Sequence, residues 1–139
     1  MENPDTIPPQ FVKAEPMQRL AAGVIDLIVM SVAASIINFL PYSYYFYNPI
    51  MIAYFLLRDT LPFLDGKSIG KNLIGIRVVR EEDFSKITDD YGTGIIRNVL
   101  FFLPLVNIID AFMIFSKDRK RFGDRWAKTI VVMDNKSTI

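Results

Sequence analysis

The sequence contains no cysteine and no histidine. Disulfides, Cys/His zinc sites, histidine-ligated haem and every Cys- or His-based nucleophile–base pair are thereby excluded. Net charge is nearly absent too: 16 Lys and Arg stand against 15 Asp and Glu, giving +1 at neutral pH. Bulk electrostatics therefore does not point to nucleic acid as a partner. Carboxylates, Lys and Arg, hydroxyls and backbone remain for chemistry. No nucleophile motif is present, and no two carboxylates stand at a recognisable catalytic spacing. Asp26 and Asp110 are the one conceivable pair for intramembrane proteolysis. The chain reads as a non-enzyme that needs no cofactor.

The charges that are present are unevenly placed. From Leu20 to Leu57 there are 38 residues and one charge, Asp26, while the other 30 charges lie in residues 1–19 and 58–139. A soluble domain rarely leaves so long a stretch nearly uncharged, so the chain reads as a small integral membrane protein. Residues 20–40 form the first expected span, since twenty-one residues at about 1.5 Å each cover roughly 31 Å, the thickness of the hydrocarbon core. Pro41 ends it. An uncharged turn at 41–48 carries four Tyr, a residue that concentrates at the membrane–water interface. A second span is expected over roughly 44–61, with Asn48 and Pro49 as N-cap and first helical residue. Residues 95–115 are apolar again but contain Arg97, Pro104, Asn107 and Asp110.

Gly66, Gly70 and Gly75 are read as helix breakers, and the β-branched runs Gly75–Arg80 and Lys128–Met133 as strands. Residues 1–18, with four Pro, are expected to be a flexible tail rather than a signal peptide. Residues 19–133 form one membrane domain, and 134–139 a C-terminal tail. The fold class is an all-α integral membrane protein: two transmembrane helices, a broken or hairpin third apolar segment, and a small two-stranded cytoplasmic β element.

Charge also orients the chain. The 41–48 turn has no Lys or Arg, whereas residues 58–97 and 116–139 hold seven basic residues each. By the positive-inside rule the turn faces outward, and both basic regions and the N-terminus are cytoplasmic. One full span between the two basic regions would put one of them on the wrong side. The 95–115 segment is therefore read as a helix–break–helix element returning to the cytoplasm, with Pro104 and Asn107 supplying the break. A plain third span is the alternative.

Asp26 is the sharpest single feature. An Asp inside a span costs a few kcal/mol or more unless it is partnered, protonated or hydrated. It is a candidate cation or proton site, or else it makes an interhelical hydrogen bond to a backbone group or Tyr54. Arg19 lies on the same helical face, two turns earlier. Asp59 can face Arg19 or Arg97, and Asp110 needs a partner if buried, with Arg97 a candidate. The Gly66–Lys71 segment (GKSIGK) fails the phosphate-loop pattern, which needs four residues before its Gly-Lys and a following Ser or Thr. It reads as a basic turn contacting headgroups, or as a tight turn leading into a strand. Lys117, Arg119, Lys120, Arg121 and Arg125 form a juxtamembrane cluster. With Lys67, Lys71 and Arg97 they are the candidate contacts for anionic lipid or a partner's acidic surface, at roughly 1 kcal/mol per residue for lipid. Trp126 is a candidate interfacial anchor.

These pieces together resemble the RDD family of small bacterial membrane proteins. The matching residues are Arg19 and Asp26 (RLAAGVID), the GKSIGKNLIGIRVV run at 66–79, Ile96-Arg97-Asn98, and RFGDRWAKTIVV at 121–132. On this match Arg19, Asp26 and Asp124 are the Arg and two Asp that give the family its name. The resemblance implies a bacterial inner-membrane protein related to transport, some members being similar to sodium–proton antiporters. On that reading Asp26, Arg19, Asp124 and Asp59 form the ion or proton site. So few helices then require a homo-oligomer, most simply a dimer through the small-residue face Gly23, Ser31 and Ala34. A non-transporting module that binds anionic lipid or a partner membrane protein is the competing reading. A reporter fused after Ile139 is expected to be found in the cytoplasm, and an external reporter would establish the plain third span.

Overall fold

A computed structural model describes residues 7–41 and 43–134. Helix α1 (Pro16–Asn38) opens with Pro at its first position, where a missing N–H costs nothing, and the Gln18 side chain accepts from the Glu15 N–H at 2.9 Å. No second proline interrupts its 23 residues. This is the one helix among the described residues that is long and apolar enough to cross a membrane. Little of it is covered by the rest of the chain: Leu27, Ile28, Val32 and Ile36 are all more than half exposed. Helix α2 (Ser43–Leu57) follows, and a 3-10 turn at Pro62–Leu64 leads onward.

The chain then builds a polar cap. Helix α3 (Ile69–Ile74) is capped by Ser68, whose hydroxyl accepts from the Lys71 N–H at 3.3 Å, and it ends at Gly75 in the left-handed region (φ 81°). Strand β1 (Ile76–Arg80) starts immediately. Helix α4 (Tyr91–Asn98), capped by Asp90, runs into a 3-10 turn over Val99–Phe102. Helix α5 (Pro104–Met113) restarts after the break, α6 (Phe122–Trp126) is a single turn, and β2 (Thr129–Met133) closes the fold. The two strands pair antiparallel, Ile76 opposite Met133 and Val78 opposite Val131. One sheet face packs Ile76, Val78 and Val131 against Ala14, Ala22 and Ile87, and the other packs Val79, Ile130 and Val132 against Phe11 and Phe84. Each fully buried Val or Ile contributes roughly 1.5–3 kcal/mol, so this small sheet is the apolar centre of the cap.

Several expectations need correction. The helix of the second apolar run begins at Ser43, so Pro49 lies inside it rather than at its start. There it removes one helical hydrogen bond and crowds the carbonyl four residues back. The described part of the 1–18 tail is not free. Lys13 forms a bridge to Val132, the Ala14 N–H donates to the Val131 carbonyl at 3.0 Å, and the Met133 N–H donates to the Val12 carbonyl at 2.7 Å. The edge of β2 is thereby paired rather than left open. Residues 1–6 and 135–139 lie outside the described residues. The break in the 95–115 segment falls at Leu103–Pro104 as expected, but Asn107 belongs to α5, its N–H donating to the Leu103 carbonyl at 2.8 Å.

Gly70 does not break a helix; it sits inside α3 and lets that helix touch α1. A Cβ there would run into the Ala22 carbonyl. Gly123 plays the same part for α6, where a Cβ would meet the Arg97 carbonyl of α4. Because the obstructing atoms are backbone, they cannot step aside. Gly70→Ala and Gly123→Ala are each expected to cost about 1–3 kcal/mol, read as a lowered thermal midpoint of the full chain in neutral detergent. An unchanged midpoint would refute the close approach.

Candidate functional site

Asp26 is 2% exposed. Its Oδ1 accepts from the Gly70 N–H at 2.7 Å, and its Oδ2 lies 3.3 Å from Arg58 Nη1. Arg58, just beyond α2, also stacks over the Phe55 ring at 4.4 Å. One carboxylate thus ties α1 to α3 and to the end of α2. The expected backbone partner is there, and it is Gly70. Arg58 was legible only as the charge ending the apolar run, not as this partner.

Arg19, two turns earlier on the same helix, does not bond to Asp26. It pairs with Asp124 and donates to the Arg119 carbonyl. Asp124 in turn lies 2.9 Å from Arg97 Nη2 and accepts from the Arg121 N–H at 3.2 Å. Arg97 stands 3.7 Å from Asp59, which pairs with Lys71. A continuous chain of opposite charges therefore runs Lys71–Asp59–Arg97–Asp124–Arg19. It joins α3, the end of α2, α4, α6 and α1. Asp59, Asp124 and Arg97 are all at most 1% exposed. Asp110 is buried as well, but its partners are the Phe122 N–H at 2.6 Å and Arg121 at 3.8 Å rather than Arg97.

Burial by itself would raise the Asp59 carboxyl, but Lys71, Arg97 and Arg58 outweigh it and hold it far below the usual carboxylate range. Asp124 is held low in the same way, burial being outweighed by Arg19, Arg97 and Arg121. Burial pulls the Lys71 ammonium down to about 8, with Asp59 opposing the shift.

Most of the candidate headgroup contacts turn out to be engaged within the fold. Lys67 pairs with Asp134, which Arg77 also holds at 2.7 Å, so Asp134 belongs to the cap rather than to a tail. Lys120 pairs with Glu81, and Arg125 reaches Asp118 at 3.1 Å on the exposed surface. Lys117 and the side chain of Arg119 make no ion pair among the described residues. Trp126 is 65% exposed.

Arg19 and Asp26 do share one feature, a cavity of about 210 Å³. Its lining includes the charged side chains Arg19, Asp26, Arg58, Lys71, Arg97 and Arg121 and the apolar Leu20, Val24, Leu27 and Ile114. Its lining is drawn from the first half of α1, from α5 and from charged residues of the cap. Among the described residues no three carboxylates come together as a metal ion would require.

A long apolar helix left mostly bare, joined to a charge-rich cap around a two-stranded sheet, defines a small helical module with one face suited to a membrane. The chain belongs to the RDD family: the family's model matches residues 13–128, and domains of this family are membrane-associated. No curated protein and no solved structure matches it significantly.

Removing one member of a buried ion pair leaves the other uncompensated, at about 3–5 kcal/mol. Asp124→Asn is expected to cost about that much in a detergent unfolding experiment, more than Arg125→Gln at the exposed pair, and equal effects would contradict the network. The folded values of Asp59 and Asp124 lie below the ordinary 3.8. Their stabilisation is complete well above that pH and is lost as the pH falls below it. The thermal midpoint is therefore expected to drop on acidification through that range, and to drop less in Asp124→Asn.

Proposed function

We propose that this chain is a non-transporting, multi-pass membrane module whose cytoplasmic cap engages anionic lipid, with Asp26 as a structural cross-link. The observation that carries this reading is the pairing of every buried carboxylate at the site. Asp26, Asp59, Asp110 and Asp124 each face a guanidinium or ammonium group. A carboxylate already holding Arg58 and an amide N–H has little left to offer a passing cation. The bare apolar face of α1 supports membrane insertion, with α2 and the α4–α5 segment, broken at Pro104, completing the membrane part. The basic balance of the cap supports a cytoplasmic, lipid-facing placement.

One observation favours transport of a cation or proton instead. Asp26 lines a cavity together with Arg19, as an ion site tuned by a neighbouring charge would. That reading asks for a second copy of the chain, and Gly23 on α1 has open space around it for a close helix contact. Purified protein in proteoliposomes separates the two. We expect proton and sodium flux equal to that of protein-free vesicles, and a higher midpoint of unfolding in vesicles containing phosphatidylglycerol than in phosphatidylcholine alone. Flux that is present in the native chain and abolished by Asp26→Asn would establish transport.

A further inference from the structure

Five cations line the cavity: Arg19, Arg58, Lys71, Arg97 and Arg121. Four carboxylates answer them: Asp26, Asp59, Asp110 and Asp124. The cluster therefore holds one positive charge more than it compensates internally. That excess is not dispersed into solvent, since Arg97 is 1% and Arg58 6% exposed. Donors are left over as well as charge. Among the described residues, the buried Nε atoms of Arg58, Arg97 and Arg121 and the Nη2 of Arg97 have no hydrogen-bond partner, against two carboxylate oxygens of the cluster, Asp59 Oδ2 and Asp124 Oδ1. A guanidinium does not escape burial by losing a proton. These Nε atoms are enclosed by the fold, so they add to the uncompensated positive field beside the cavity, and contact with an anion falls to the guanidinium and ammonium groups that line it.

We infer that this cavity binds the phosphodiester group of an anionic lipid or a free phosphate of the same chemistry. Guanidinium forks match phosphate oxygens with paired hydrogen bonds. A phosphodiester carries one negative charge, which balances the excess of the cluster. The cavity lining is also mixed. Beside the cations it includes Leu20, Val24 and Leu27, α1 residues that are themselves about half exposed. An acyl chain attached to the phosphate has an apolar path along that helix. The inference rests on the reading that the cap engages anionic lipid, and it places the contact in the cavity rather than on the exposed Lys117–Arg125 surface.

The test is native mass spectrometry of the full chain in neutral detergent, titrated with phosphatidylglycerol, phosphatidylcholine or inorganic phosphate. We expect one phosphatidylglycerol per chain and weaker binding of phosphatidylcholine, whose quaternary ammonium the cluster repels. Arg58→Gln is expected to weaken phosphatidylglycerol binding about tenfold, the equivalent of one charge-assisted hydrogen bond. Gly23→Leu is expected to weaken it comparably by filling the cavity without changing charge; a Cβ at Gly23 meets nothing within 4 Å, so the helix accepts the side chain. Displacement by excess inorganic phosphate would support a site that reads phosphate itself. Failure of phosphate to displace the lipid would support one that also requires the acyl chain. Undiminished binding in Gly23→Leu overturns the cavity, whatever Arg58→Gln does. If binding is lost instead in a Lys117→Glu, Arg119→Glu double variant, lipid engagement stands and only its location changes. Absence of any phosphatidylglycerol adduct on the native chain overturns both.

Discussion

The carboxylate of Asp124 is the point on which the structure closes. It takes Arg19 from the first helix and Arg97 from the fourth, and it caps the turn of helix on which it sits. None of these groups tolerates burial alone, because an isolated charge in a low-dielectric interior is far more expensive than a paired one. The three must arrive together or not at all. Their meeting brings residue 19 beside residue 124, and with them the segments that follow and precede. The short helix around Asp124 leads directly into β2, and residues 12–14 leading into α1 lie along the far edge of that strand. A buried ion pair across 105 positions thus sets the register of a sheet that, with five residues per strand, would be marginal by itself.

The charge network and the apolar helices are complementary parts of one design. A helix that leaves most of its apolar surface bare is stable only if lipid or protein covers it. A cluster of buried charges is stable only if water is replaced by partners. The two meet at the level of Asp26, Arg58 and Arg97, where helix α1 passes from the cap into its bare stretch. Two glycines make this junction tight: α3 rests on the backbone of α1 at Gly70, and α6 on that of α4 at Gly123. The cavity lined by α1 and α5 lies at this junction, beside five cations and the four carboxylates that pair with them.

Much of this was legible along the chain. The first helix (expected over 20–40, observed from Pro16 to Asn38), both strands to within a residue, and the break before Pro104 follow from apolar length, β-branched runs and the geometry of proline. That Asp26 needs a partner follows from its position in an apolar run. The identity of that partner was not legible, because Gly70 and Arg58 are 44 and 32 positions away and no local pattern joins them. The basic residues were the least legible of all. Lys67, Lys71, Arg97, Lys120 and Arg121 look alike in sequence as a positively charged surface, yet each faces a carboxylate in the fold. Glycine misled for a related reason. Low helix propensity makes Gly70 read as a breaker, whereas the close approach of a neighbouring backbone outweighs a propensity term of about 1 kcal/mol.

The sequence by itself determined where the chain is apolar, where its charges lie and which Cys- and His-based chemistries are closed to it. These are properties of composition and of short-range order, and no distant contact alters them. Only the tertiary structure decided which charge meets which, that Arg19 belongs to Asp124 and not to Asp26, and that one positive charge is left over beside a cavity. Pairing energies fall steeply with distance and with exposure to water. Whether two charges bind or merely coexist is therefore settled by the few ångströms that folding sets between residues far apart in the chain.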